Sequence, residues 1–423
     1  MSRFRGKRRS TDGAIGLKWL AVLAMAAAYG SAAYADAQWQ YNPRVVVTGI
    51  DESNYQLAVA PGSKFSVAGS QADASVQIHG QWPTTSVDLW PYVSGTYLPG
   101  HTELDDNLEF LSFNLNHTGQ RFSASLASNY SERSLLQAVL PSTLPNSDLG
   151  QPSPGTNPGL LEQHNRQDLL VLTPSGQFAV TQRNEVVFVA NFLDGTYAHQ
   201  NLGGYVNYSA LAGSVGWAYE VSPRGSLTFS GTASEFSPSH VPGSNTYGLE
   251  VDWSKQVTQT GKYYLRLGGN RTNFDSGFGA VPTAGADTLS AGAGVSWAFR
   301  VTNVFLDMTR TVSPSPSGYS VVQNQARFRL ERQYSQRLAA FVGLVGVKQD
   351  PFGSGNPFVA TSYVSGDIGL EWRATRAFAL VGAYGYQLQK FSGSPNADSN
   401  TFRVSLVYEL NRAAQGPGIS VPY

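Results

Sequence analysis

Cysteine is missing from all 423 positions, which excludes disulfides, thiolate metal centres and cysteine nucleophiles together. Charge is scarce too. Asp, Glu, Lys and Arg make up 14% of the chain, where soluble domains carry about 25%. Acidic and basic residues balance at 29 each, so no basic surface points to a nucleic acid partner. No segment reaches the apolar run of about 18 to 20 residues that a membrane helix requires. In their place stand Gly 44, Tyr 21 and Phe 21, with a mean hydropathy slightly below zero. That mixture suits a closed sheet whose apolar outside and polar inside cancel on average.

Period-two alternation recurs along most of the chain. In 246–254, Tyr247, Leu249, Val251 and Trp253 share one face, and Gly248, Glu250, Asp252 and Ser254 the other. The stretches 289–300 and 402–410 repeat the device, the last with Phe402, Val404, Leu406, Tyr408 and Leu410 on its apolar face. The pattern predicts eighteen strands at 43–58, 73–80, 85–97, 106–118, 120–132, 166–180, 182–198, 203–220, 224–235, 245–257, 261–274, 285–299, 302–315, 319–334, 336–349, 360–374, 376–391 and 399–412. Most are near twelve residues, against about five or six in soluble sheets. The stretch 73–80 falls short of the roughly 9 to 11 residues that cross a bilayer; if it and its neighbour lie outside the ring, sixteen strands remain.

Links between strands alternate in length. Short reversals such as Trp82-Pro83, Thr118-Gly119 and Ser222-Pro223 follow even-numbered strands, and longer Gly-, Pro- and Asn-rich segments follow most odd ones. Short turns on one side and longer loops on the other are the asymmetry of a transmembrane barrel, with the turns on the periplasmic side. The expected architecture is therefore an all-β, antiparallel transmembrane barrel of about eighteen strands. Its longest loop, 134–165, either caps the mouth or folds into the lumen.

Trp82, Trp217, Trp253, Trp297 and Trp372 stand at the same end of successive strands, as the aromatic girdle at a membrane–water boundary does. The N-terminal region reads separately. Arg3, Arg5, Lys7, Arg8, Arg9 and Lys18 precede the apolar run 19–28, and Ala33-Tyr34-Ala35 gives a small-x-small cleavage site before Asp36. Residues 1–35 are thus expected to be a secretory signal peptide and 36–423 the mature barrel, with 411–423 a short periplasmic tail. The expected location is the outer membrane of a Gram-negative cell. Expected partners are outer-membrane lipid, lipopolysaccharide and the barrel-assembly machinery.

The opening Trp39-Gln40-Tyr41-Asn42-Pro43-Arg44, followed by Asp51-Glu52-Ser53-Asn54-Tyr55, resembles the β-barrel porins found with exopolysaccharide operons of Gram-negative bacteria. Leu111-Ser112-Phe113-Asn114-Leu115-Asn116-His117 and the closing 403–410 are similar in texture. The resemblance spans the mature chain and implies an outer-membrane channel, or an accessory barrel, associated with polysaccharide production or export. Exopolysaccharide export proteins join the expected partners on that ground alone.

By alternation, Glu250, Asp252, Arg266, Asp307, Arg327, Arg329, Glu331, Asp367, Glu371, Arg373, Arg403 and Glu409 point into the lumen, where rings of charge set ion preference. Arg327 and Arg329 against Asp367 and Glu371 would create a transverse field; the plainer reading is solvation of a wet interior with mutual pairing. Trp90, Tyr92 and Tyr264 on the same face could stack sugar rings or simply fill the lumen. A surface hydrolase built on Asp105-Asp106, or on Asp194 with His199, is the rival from the enzyme class. The six histidines lack metal-ligand spacing, and no catalytic residue, cofactor or metal is expected. Asp51-Glu52 and Asp105-Asp106 are the acidic pairs that could hold a divalent cation bridging lipopolysaccharide. Two functions follow: passage of hydrophilic solutes or secreted polysaccharide, or a structural barrel of an export assembly without an open pore.

Overall fold

A computed structural model describes residues 38–55, 57–58, 63–101, 104, 106–134, 166–198, 205–275, 285–315, 317–353, 356 and 358–410. The expected signal peptide, the loop 135–165 and the tail 411–423 lie outside these. Eighteen strands follow in chain order: β1 Gln38–Glu52, β2 Val67–Gln81, β3 Thr85–Tyr97, β4 Asp106–Thr118, β5 Phe122–Ser134, β6 Arg166–Ala179, β7 Asn184–Tyr197, β8 Tyr208–Ser222 and β9 Gly225–Pro238. The second half is β10 Ser244–Gln256, β11 Gly261–Phe274, β12 Ala286–Ala298, β13 Thr302–Pro314, β14 Ser320–Gln333, β15 Leu338–Pro351, β16 Thr361–Arg373, β17 Phe378–Phe391 and β18 Ala397–Glu409.

Each strand pairs antiparallel with the next, and β1 pairs with β18, Arg44 opposite Glu409 and Glu52 opposite Thr401. The sheet therefore closes as an up-and-down meander, which leaves a transmembrane sheet no edge in hydrocarbon. Followed once around, the partners accumulate a stagger of about 22 residues. Spread over eighteen strands, that tilts them by about 40°. Strands of 13 to 15 residues then rise about 33 to 38 Å, enough to overhang an apolar band of about 25 Å at both rims.

The outer face is apolar. Leu249 is 75% exposed, and Val215, Leu267, Phe402 and Ile368 also stand free of the wall. Only acyl chains can solvate such a surface at low cost, since apolar area left in water forfeits about 25 cal/mol per Å². The inner face carries hydroxyls, amides and ion pairs, and no described helix is long and apolar enough to cross a membrane.

β2 is the chief difference from the sequence expectation. It runs fifteen residues, Val67–Gln81, pairs fully with β1 and belongs to the ring. Its outward positions Ala68, Ser70, Ala72 and Ala74 are small, so the strand carries almost no amphipathic contrast over its first half. The first strand ends at Glu52 rather than near 58 because Asn54 turns the chain, its Nδ2 donating to Ala58 O and its Oδ1 accepting from Ala58 N.

Candidate functional site

The lumenal wall is the candidate site, and the register decides which of its charges meet. Asp307 on β13 faces Arg327 on β14 directly. Arg327 donates to Asp307 Oδ1 from Nε at 3.2 Å and from Nη2 at 2.8 Å. Tyr264 completes the group: its hydroxyl donates to Asp307 Oδ2 at 2.5 Å from two strands away. The ring lies over Gly294, where a Cβ would meet its Cδ1 and Cε1. Gly294 thus opens the path from β11 to β13, and Asp307 is left 1% exposed with both oxygens occupied.

One strand pair further on, Arg266 sits between two carboxylates. Its Nε lies 2.6 Å from Asp252 Oδ1 and 3.1 Å from Glu250 Oε1. Arg329 pairs with Glu331 at 2.6 Å, and Arg373 with Glu371 at 2.7 Å. Both are neighbours two apart on one strand, which share a face. Asp367 stands opposite Gly343 on one side and Gly385 on the other. Arg403 faces Ala383, and Glu409 is buried where β18 meets β1.

The transverse field expected between Arg327 with Arg329 and Asp367 with Glu371 is therefore largely quenched locally: Arg327, Arg329 and Glu371 each have a nearer partner. A pair held at under 3 Å presents a dipole to the lumen in place of a net charge.

Between β4 and β9 the inner face offers hydroxyls and amides, among them Ser125 with Ser175 at 2.5 Å and Asn191 donating to Thr173 at 2.9 Å. Trp90 stands edge-on to Phe110 at 5.6 Å and to Tyr92 at 6.3 Å, and the Tyr92 hydroxyl donates to Asp73 at 3.0 Å. Near the loop-side mouth Tyr197, Tyr205, Tyr208 and Phe236 form a buried cluster. Tyr205 stacks on Tyr197 at 5.1 Å, and burial pushes its phenol above the ordinary range.

The five tryptophans expected as a girdle all lie at the turn-side end. Trp217, Trp253 and Trp372 are exposed on the outer face. Trp297 stacks on Phe299 at 5.4 Å, and Trp82 packs edge-on against Trp39 at 5.4 Å. Sequence reading missed Trp39 as part of this end, although its place at the start of β1 and its spacing from Tyr41 mark it.

The acidic pair Asp51-Glu52 does not converge. Asp51 faces out and is exposed, while Glu52 faces in and accepts from Ser399 Oγ at 3.0 Å. Asp194 lies on the outer face of β7; His199 and Asp105 fall outside the described residues, as does the Asp106 side chain. Among the described residues no group of three His, Asp or Glu could hold a metal ion.

No known family model matches the chain, and no curated protein does. Among solved structures it is similar to Pseudomonas aeruginosa OccK2 (OpdF) in complex with glucuronate, at 10% identity over 88% of this chain and 98% of that one, with a TM-score of 0.44. The outer membrane protein OpdK from Pseudomonas aeruginosa gives 12% identity, 88% and 99% coverage and a TM-score of 0.42. Acinetobacter baumannii OccAB2 gives 10%, 88% and 98%, and 0.43. Likeness at this level assigns neither family nor solute.

Proposed function

We propose that the chain is a non-enzymatic channel of the Gram-negative outer membrane that passes small hydrophilic solutes without strong preference for either sign of charge. One observation carries this reading: four lumenal cations, Arg266, Arg327, Arg329 and Arg373, are each held within 3 Å by a carboxylate. The wall is polar enough to keep water, and these four cations are neutralised where they stand. A ring of eighteen strands is wide enough to hold an aqueous path. Location rests on the apolar outer band and on the expected signal peptide. Lipid, lipopolysaccharide and the assembly machinery are the partners this reading requires.

Passage of a secreted polysaccharide is a second reading, favoured by the inward group Trp90, Tyr92 and Phe110, whose planes suit the apolar face of a pyranose. Its link to exopolysaccharide operons rests on sequence texture alone.

The test is osmotic swelling of proteoliposomes in neutral sugars of increasing size. The channel reading predicts rates above protein-free vesicles that fall with solute size. Swelling no faster than the protein-free control would leave the structural barrel without an open pore in its place.

A further inference from the structure

Among the described residues the ladder between β12 and β13 opens into a seam. β12 and β13 pair only from Ala298 with Asn303 up to Ala291 with Arg310. Both strands continue towards the loop side: β12 stays paired to β11 as far as Ala286, and β13 to β14 as far as Pro314. Above Ala291 the two part company, and the β13-side edge of β12 at 286–290 has no strand beside it among the described residues.

The β13–β14 tip lies inward of the ring. Ser320 belongs by alternation to the lipid-side face of β14, with Ala326 and Phe328, yet its Oγ lies 3.0 Å from Ser244 Oγ on the inner face of β10. A ladder running straight up would leave those residues four strands apart, about 19 Å at the usual spacing. Val322, on that same lipid-side face, is only 7% exposed. Gly318 at the tip, held at a φ of +80°, would bring a Cβ against Pro238 and Val206 on the far side of the seam. The neighbouring loop follows. Phe352 packs on Phe274 of β11 at 5.8 Å, and Asn356 Nδ2 donates to Ser320 O at 2.8 Å. Ser290, opposite Thr311 if the ladder continued, is 5% exposed and its Oγ has no partner among the described residues.

We propose that the upper β13–β14 hairpin is a flap that hinges at Arg310 and Thr311 between two positions, and that it narrows the loop-side mouth when tucked against β10. In the outer position the β12–β13 ladder zips upward, Ser290 to Thr311 and Leu289 to Val312, and stops at Pro314, which has no N–H to give. The movement exchanges contacts: those of Ser320, Phe352 and Gly318 are lost as backbone bonds and a partner for Ser290 are gained. The expected narrowing of current rests on the channel reading; the movement of the hairpin does not.

A chain without cysteine gives a clean background for cross-links. Ser244→Cys with Ser320→Cys locks the tucked position, and Ser290→Cys with Thr311→Cys locks the zipped one. Ala293→Cys with Met308→Cys, direct partners in the lower ladder, is the positive control. On mild oxidation of the folded protein in vesicles, both test pairs should close alongside the control, seen as gel-mobility shifts reversed by reductant. In planar bilayers the tucked lock should lower conductance at least twofold relative to its reduced form, and the zipped lock should raise it at least twofold. Failure of the Ser290–Thr311 pair to close while the control closes would show a fixed hairpin and overturn the proposal. Both locks forming with unchanged conductance would overturn its role at the mouth. Silence of every reduced form would count against the channel itself, while the cross-link pattern would still decide whether the hairpin moves.

Discussion

Tyr264 reaches Asp307 across Gly294, two strands away, and with Arg327 it occupies both carboxylate oxygens. The contact joins three of the barrel's strands through side chains in addition to their backbone ladder. It depends on the absence of a Cβ at one position.

Gly294→Val should displace the Tyr264 ring and break its bond to Asp307. A hydrogen bond to a charged group contributes about 1.5–3 kcal/mol, and the lost contact should lower the temperature at which the folded band converts to the unfolded one on unheated gels. Gly382→Ala, where a Cβ meets nothing within 4 Å, should leave that temperature unchanged. Equal losses in the two variants would remove Gly294 from its role.

Asp307→Asn strips Arg327 of its carboxylate and leaves a half-buried guanidinium in the wall. Removing one member of a buried pair costs about 3–5 kcal/mol, and water in the lumen should return part of it. The surviving channel should favour anions in a salt gradient. Arg327→Gln should shift the reversal potential in the opposite direction. Shifts of the same sign in both variants would contradict the pairing.

Consecutive residues on β8 face opposite media. Val215 is exposed on the outer face and Ser214 looks inward. Val215→Arg should destabilise folding into lipid vesicles by about 2–4 kcal/mol, the range for arginine near the midplane of a barrel. Ser214→Arg should cost far less, since water receives its charge. Urea titration of each variant in vesicles measures both, and equal costs would contradict the assigned faces.

Tryptophan depth gives an independent reading of the turn-side rim. Emission should be quenched more by lipids brominated near the headgroup than by those brominated near the chain end, because Trp217, Trp253 and Trp372 stand at one boundary. Stronger quenching by the deep bromine would place the rings elsewhere.

Strands were legible wherever side chains contrast. β3, β4 and β11 run 85–97, 106–118 and 261–274, as their alternation predicts. β2 was cut short because alanine and serine on its outer face send no signal. Parity assigned the lumenal positions, but it could not name their partners. Arg329 with Glu331 and Arg373 with Glu371 could have been read from their spacing of two. Arg327 with Asp307 needed the register of β13 on β14, and Tyr264 with Asp307 needed the curvature of the wall as well. The seam between β12 and β13 left only a faint trace: Arg310 on β13 and Asp287 on β12 fall on the lipid-side faces of otherwise apolar rows, and nothing in the sequence says that Ser244 meets Ser320 over 76 residues of chain.

The most direct test of the account is a planar-bilayer recording of the purified protein under a tenfold salt gradient. A water-filled barrel with locally neutralised charge predicts discrete conductance steps and a reversal potential near zero. Absence of steps from protein shown to be folded, or a reversal potential close to that of an ideally selective pore, would contradict it.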